Sequence, residues 1–155
     1  MVNGMSIEIP KRGTRGSSLA NLPRPLKKVL LGLFELAVKL KKEPVGVLTT
    51  TGAKSGVQRR NPLRPFDDGP GRWLVVASFG GAATSPAWLH NLKAHPDQVS
   101  FEIDGRRVRV SPATLTGAER DRAWERIVRE APQFASYQKS TDRVIPVVRL
   151  TRIED

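Results

Sequence analysis

The chain has 155 residues, with 26 Lys and Arg against 15 Asp and Glu for a formal net charge of +11, 39% hydrophobic residues and no Cys. At this length a single domain buries roughly 68–70% of the surface its unfolded chain exposes, so a core needs no metal or disulfide staple. The lack of cysteine excludes thiolate catalysis, Cys-ligated zinc and iron–sulfur clusters; no apolar run suits a transmembrane helix or secretory leader, so a cytoplasmic protein is expected.

Charge is concentrated early: residues 1–42 hold nine Lys or Arg against two Glu. Such a segment favours an anionic partner, whether lipid headgroups, nucleic acid or an acidic ligand. Residues 1–24, rich in Gly, Ser, Pro and basic residues, read as a flexible basic arm. Residues 25–155 then form one domain that opens with an amphipathic helix over 25–42. Pro25 suits the first helical position, Leu26, Val29, Leu30, Leu33, Leu36, Ala37 and Leu40 recur at helical spacing, and Pro44 stops the run. Lysines flank this helix at both ends, so it is expected to lie on an anionic membrane at the inner face, to cover the mouth of a pocket, or to pack on the core.

Beyond Pro44 β-formers dominate. Val45–Thr51, Val57–Phe66 and Arg72–Ser78 are expected strands, joined by Gly52-Ala53-Lys54-Ser55-Gly56 and by the turn Asp67-Asp68-Gly69-Pro70-Gly71. Ser78–Thr84 is a glycine-rich loop, and Ser85-Pro86 reads as an N-cap and first position of a short helix ending before Pro96. Asp104-Gly105 supplies the positive φ of a two-residue hairpin turn between strands Gln98–Ile103 and Arg106–Ala113. Thr116 and Glu119 fit a capping box that opens an amphipathic helix with Ala123, Trp124, Ile127 and Val128 on one side. Pro132 breaks it, Gln133–Lys139 is a further helical turn or two, and Val144–Ile153 is the last strand. About six strands with helices inserted late indicate an α+β fold with a mainly antiparallel, strongly curled sheet or barrel, because the first three strands leave no room for crossover helices.

The segment Thr49–Gly56 ends a strand and contains Lys-Ser, but a phosphate loop requires Gly directly before the lysine, and Ala53 stands there. Small residues with available N–H groups, Lys54, Arg59 and Arg60 nonetheless make an anion cradle or a solvated basic hairpin. His90 and His95 are five apart, off the spacing that aligns two ligands on a helix, so no metal site is expected, and no G-x-S-x-G or paired nucleophile suggests a hydrolase. Redox or group-transfer chemistry would have to come from a cofactor.

Three runs in order, VLTTTGAKSGVQRRNPL, WLVVASFGGAATSPAWLHNLKAHPDQV and ASYQKSTDRVIPVVRL, resemble the deazaflavin-dependent nitroreductase family, a split β-barrel family that binds coenzyme F420, over nearly everything from Pro44 onward. The resemblance implies that Lys54, Ser55, Gly56, Arg59 and Asn61 bind the acidic tail of the coenzyme, an 8-hydroxy-5-deazaflavin with a phosphodiester and oligoglutamate. Strict strand alternation places Arg59 and Asn61 on one face and turns Arg60 away. It further implies that Ala77, Ser78, Phe79, Gly80 and Gly81 approach the deazaflavin ring, that Pro86, Trp88 and Asn91 line the same pocket, and that Ser78 and Tyr137 lie nearest the reacting centre with Phe134 as an apolar wall for the substrate. For Trp88 plain core packing is the competing reading. The chain departs from the family where other members are rich in tyrosine: Ala131 and Phe134 stand there, and Tyr137 is the sole tyrosine.

The expected function is an F420-dependent reductase that transfers a hydride from C5 of the reduced deazaflavin to an enone, quinone or nitro-type acceptor, with a small hydrophobic electron acceptor and the coenzyme as partners. The alternatives are a non-catalytic F420-binding protein, or a binder of FMN or haem on the same barrel. A nucleic-acid partner is not expected, because no stacking aromatics interleave with the lysines.

Overall fold

The turn chemistry of the sequence is reproduced most closely at Asp104-Gly105, where φ values of 52° and 74° close a tight hairpin. In this computed structural model, which describes residues 6–18, 22–41 and 44–154, that hairpin joins β5 (Ser100–Ile103) to β6 (Arg106–Thr114). The other strands are β1 (Gly46–Thr51), β2 (Gln58–Leu63), β3 (Phe66–Asp67), β4 (Arg72–Val76) and β7 (Val147–Arg152), and the helices are α1 (Arg24–Lys41), α2 (Ala87–Ala94), α3 (Gly117–Glu130) and α4 (Gln133–Ser140). Among the described residues the seven strands form one antiparallel sheet, in the order β2-β1-β5-β6-β7-β4-β3, curled into a half-barrel. The long strand β6 carries the sheet around: Arg106–Arg109 pair with β5, whereas Val110–Thr114 pair with β7.

The sheet has one strand more than the sequence suggests, because the expected strand Val57–Phe66 breaks at Arg64-Pro65. Phe66 and Asp67 leave β2 to pair with Leu74 and Trp73 of β4. The remainder, β2, holds Pro62 and lies at the sheet edge, where a missing N–H sacrifices no ladder bond.

β4 shows how the sequence specifies both faces. Val75 enters one core with Leu48, Trp88, Leu89, Leu92, Phe101, Val110, Val148 and Leu150 under α2. Its neighbours Leu74 and Val76 enter the other, with Phe66, Ile127, Phe134, Ile145 and Val147 under α3 and α4. Apolar neighbours on opposite faces explain why this strand reads as a continuous hydrophobic run.

Three local expectations are corrected. Helix α2 starts at Ala87, with Pro86 at the N-cap position, and Ser85 does not cap it; the Ser85 hydroxyl accepts a hydrogen bond from Arg143 Nη1 at 3.4 Å instead. Thr116 does stand at the N-cap of α3, but its side chain makes no capping hydrogen bond, and the Glu119 carboxylate turns to Arg149 at 3.3 Å. Residues 6–18 are docked rather than free. Ile7 is buried in the α2 core, Glu8 N–H donates to Thr114 Oγ1 at 2.8 Å, and Gly13 and Ser17 donate to the carbonyls of Ala83 and Gly81 at 2.8 and 3.0 Å. Backbone pairing is available here because Gly16 has no Cβ to collide with Ala83 N.

The first helix spans Arg24–Lys41; Lys42, expected as its last residue, lies outside the described residues. Among its described side chains, Leu26, Val29, Leu30, Leu33 and Leu36 are 41–59% exposed.

Candidate cofactor site

The β1–β2 turn is held from below. Gly52 N–H donates to Val57 O at 2.8 Å and Gly56 N–H to Gly52 O at 3.0 Å, while the Ser55 hydroxyl accepts from Val57 N–H at 3.2 Å. Buried Asn91 of α2 fastens the turn to the body: its Oδ1 accepts from Ala53 N–H at 2.9 Å and its Nδ2 donates to Thr50 Oγ1 at 3.1 Å. The polar atoms of the Asn91 side chain are thus engaged with the turn.

Lys54, Ser55, Gly56 and Arg59 are exposed on this turn and strand. The register places Arg59 opposite Thr50 and Asn61 opposite Leu48, on the face that carries the α2 core. Arg60, opposite Thr49, spends its charge on Glu102 at 2.8 Å. The alternation read from sequence is thus found in the strand pairing. Among the described residues no carboxylate pairs with Lys54 or Arg59. Two unneutralised cations and the Ser55 hydroxyl proton have the donor chemistry that a phosphodiester or polycarboxylate requires.

At the end of β4, Ala77 is buried and the chain turns through Ser78, Phe79, Gly80 and Gly81. Phe79, Gly80 and Gly81 have φ of 45°, 61° and 81°. Positive φ at a bulky residue is sparsely populated and persists only where surrounding structure imposes it. That structure is visible: a Cβ on Gly81 would lie 2.6 Å from Tyr137 O and 2.9 Å from Ser140 Cβ of α4. The loop is pressed on α4 from one side and paired with the docked residues 13–17 on the other. Ser78 and Tyr137 are both half-buried at this junction.

Trp88 and Phe134, both expected at the pocket, are buried in the two cores. Trp88 is 6% exposed within the α2 core. Phe134 is 8% exposed and stands edge-on between Phe66, at 5.7 Å, and Tyr137, at 5.4 Å, so it supports the Tyr137 ring. Pro86 is buried where the loop enters α2.

The residues that organise the loop lie in the run Tyr137–Arg143. Gln138 Nε2 donates to Arg143 O at 2.7 Å and its Oε1 accepts from Ile145 N–H at 2.9 Å. The Arg143 side chain donates to the carbonyls of Ala82, Ala77 and Ser78 at 3.1, 3.2 and 3.0 Å. Burial pulls its pKa below the usual guanidinium value, and it remains a cation. Asp142 points outward: Oδ2 accepts from the Thr14 hydroxyl at 2.6 Å and Oδ1 from Thr14 N–H at 2.8 Å, contacts that hold its carboxyl below the ordinary range. Sequence reasoning assigned no role to Arg143, Gln138, Thr14 or Asp142. The run ASYQKSTDRVIPVVRL contains three of them, and a burial signal for an arginine is not available from composition.

The family model for F420H2-dependent quinone reductase matches residues 32–152. The chain is similar to an F420H2-dependent quinone reductase of Mycobacterium tuberculosis (strain ATCC 25618 / H37Rv), 42% identical over 113 residues, which cover 70% of this chain and 74% of that protein. It is also similar to a solved F420-H2 dependent reductase (FDR-A), with a TM-score of 0.62, 39% identity, and coverage of 69% of this chain and 93% of that one. HutZ, a haem storage protein from Vibrio cholerae, matches with a TM-score of 0.50 and 11% identity over 78% of this chain and 89% of that one, a likeness of fold alone.

Proposed function

Because this chain belongs to the F420H2-dependent quinone reductase family, we propose that it reduces a flat, lipophilic quinone-class acceptor with reduced coenzyme F420. The chain is an F420H2-dependent oxidoreductase. The nitroreductase label suggested by the motifs is replaced by the quinone reductase family. Those motifs largely concern the coenzyme, and the chain departs from tyrosine at Ala131 and Phe134, on the acceptor side.

The observation that carries the reading is the pairing of an unneutralised cradle at Lys54 and Arg59 with a preformed glycine loop at Ser78–Gly81, joined through α2 by Asn91. Lys54, Ser55, Gly56, Arg59 and the backbone around them hold the acidic tail. Ser78, Phe79 and Gly80 present backbone N–H groups where a planar ring can approach, while those of Ala77 and Gly81 are bonded to Pro146 O and Ser78 O. Bound there, the reduced coenzyme supplies a hydride, and the acceptor takes up a proton to complete its reduction. The task left to the chain is alignment of the acceptor and delivery of that proton, from the Ser78 or Tyr137 hydroxyl or from water.

The acceptor class also fits the first helix. Leu26, Val29, Leu30, Leu33 and Leu36 are open, and Arg24, Lys27, Lys28, Lys39 and Lys41 flank them. We assign this face to an anionic bilayer surface, where lipophilic quinones dissolve, which makes the protein cytoplasmic and peripheral. No helix among the described residues is long and apolar enough to cross a membrane.

Steady-state reduction of a quinone, an enone and a nitro compound by the reduced coenzyme tests the reading. The quinone is expected to be the preferred acceptor, and Ser78→Ala and Tyr137→Phe to lose on the order of 10²-fold or less, the lower end of a general-acid contribution. Turnover with none of these acceptors, despite coenzyme binding, would favour a coenzyme-binding protein. Flotation with phosphatidylglycerol vesicles tests the helix: binding that depends on 24–41 supports the assignment, whereas a dimer that buries this face and ignores vesicles contradicts it.

A further inference from the structure

Arg143 is a buried cation without an anion. Its side chain is 2% exposed, its guanidinium donates to three carbonyls and to Ser85 Oγ, and among the described residues no carboxylate lies within ion-pair distance. A buried charge normally has a partner, because desolvation costs several kcal/mol per ion. The neighbouring charges do not serve. Asp142 is directed at Thr14 and Arg15 of the docked segment, and Arg15 Nη1 donates to Lys139 O at 3.0 Å. Lys27 Nζ stands 5.9 Å from the Phe79 ring centroid, and Tyr137 and Lys139 are the titratable residues of α4 on this side. The carbonyls that receive Arg143 belong to Ala77, Ser78 and Ala82, the two ends of the loop that carries the strained Phe79-Gly80-Gly81 backbone.

We propose that Arg143 is a positioning residue that fixes this loop and leaves an uncompensated positive charge behind it, so that the pocket favours the anionic form of the deazaflavin ring. The inference rests on the coenzyme reading above. Three carbonyl bonds alone would be met by any forked donor; the charge is what an anionic ring recognises. A ring bound as the anion carries its 8-hydroxyl deprotonated, and the ionisation changes its visible absorption.

Two ligands and three variants test this. Ser85→Asp places a carboxylate beside Nη1 and neutralises Arg143 while its carbonyl bonds remain; Ser85→Asn is the uncharged control. Arg143→Gln removes the charge and keeps a forked amide. The apparent pKa of bound oxidised coenzyme, and of a deazaflavin lacking the phosphodiester and glutamate tail, is read from absorbance against pH. In the parent and in Ser85→Asn both ligands should titrate below their free values. Ser85→Asp and Arg143→Gln should raise the apparent pKa by about one unit for both ligands, with the tail's salt-dependent affinity unchanged in Ser85→Asp. An unshifted pKa in Ser85→Asp, folded by its circular dichroism, overturns the inference and leaves the coenzyme reading standing; should that variant not fold, the same result in Arg143→Gln decides. A parent that binds neither ligand overturns both.

Discussion

The Ala77–Ser85 loop and the Gly52–Val57 turn both follow strands and are both built from small residues, yet they spend their polar groups in opposite ways. Around the loop, Arg143, Ser17 and Gly13 engage the carbonyls of Ala77, Ser78, Gly81, Ala82 and Ala83, and α4 presses on Gly81. On the turn, the bonds to Asn91 and Val57 fix the backbone, while Lys54 and Arg59 stay exposed with no carboxylate partner among the described residues. A planar ring needs a surface of matching shape and fixed charge, which must exist before it arrives. A flexible polyanion is recognised by charge, which is most effective where nothing in the protein has neutralised it.

The largest effect should come from disturbing the preformed side. Gly81→Ala forces a Cβ against Tyr137 O at a φ of 81°, for an expected loss of about 2–4 kcal/mol of stability from combined backbone strain and overpacking. Urea denaturation measures it, and an unchanged midpoint would mean that the loop is not clasped. On the open side, Lys54→Ala or Arg59→Ala should leave stability within about 0.5 kcal/mol while weakening coenzyme binding by about 1.5–3 kcal/mol, roughly tenfold or more.

The strap that backs the loop should respond to acid. Thr14 bonds hold the Asp142 carboxyl below its ordinary value, so the strap's stabilisation is present above the unfolded-state pKa and disappears as pH falls through the lowered folded one. Amide exchange at Thr14 and Ser17 should therefore quicken only below the usual carboxylate range, and Asp142→Asn should remove that pH dependence. The smallest effect belongs to Arg60→Ala. Its exposed pair with Glu102 is worth about 0–1 kcal/mol, and coenzyme affinity should not change.

The open side was the more legible of the two in sequence. Strand alternation separated Arg59 from Arg60 before any contact was known, and the register with β1 reproduces it. The hairpin at Asp104-Gly105 and the helix stop at Pro132 are equally local signals, and both match the structure. The clasped side depends on contacts distant in sequence: Arg143 meets Ala77 and Ala82, and Thr14 meets Asp142. No periodicity encodes such contacts, and arginine is seldom buried, so its position gave no warning. The same limit applies to the burial of Trp88 and Phe134, which is set by core neighbours distant in sequence. The strand break at Pro65 is a different case. Proline marked the place, but the pairing of Phe66 with Leu74 decided what followed it.

The division of labour between the two regions is tested most directly by binding across a salt series, comparing intact coenzyme F420 with the deazaflavin that lacks its phosphodiester and glutamate tail. Affinity for the intact coenzyme should fall steeply as salt rises and approach that of the tail-less ring, whose own affinity stays nearly constant. Equal affinity and equal salt dependence for the two ligands would contradict the assignment of Lys54 and Arg59 to the acidic tail.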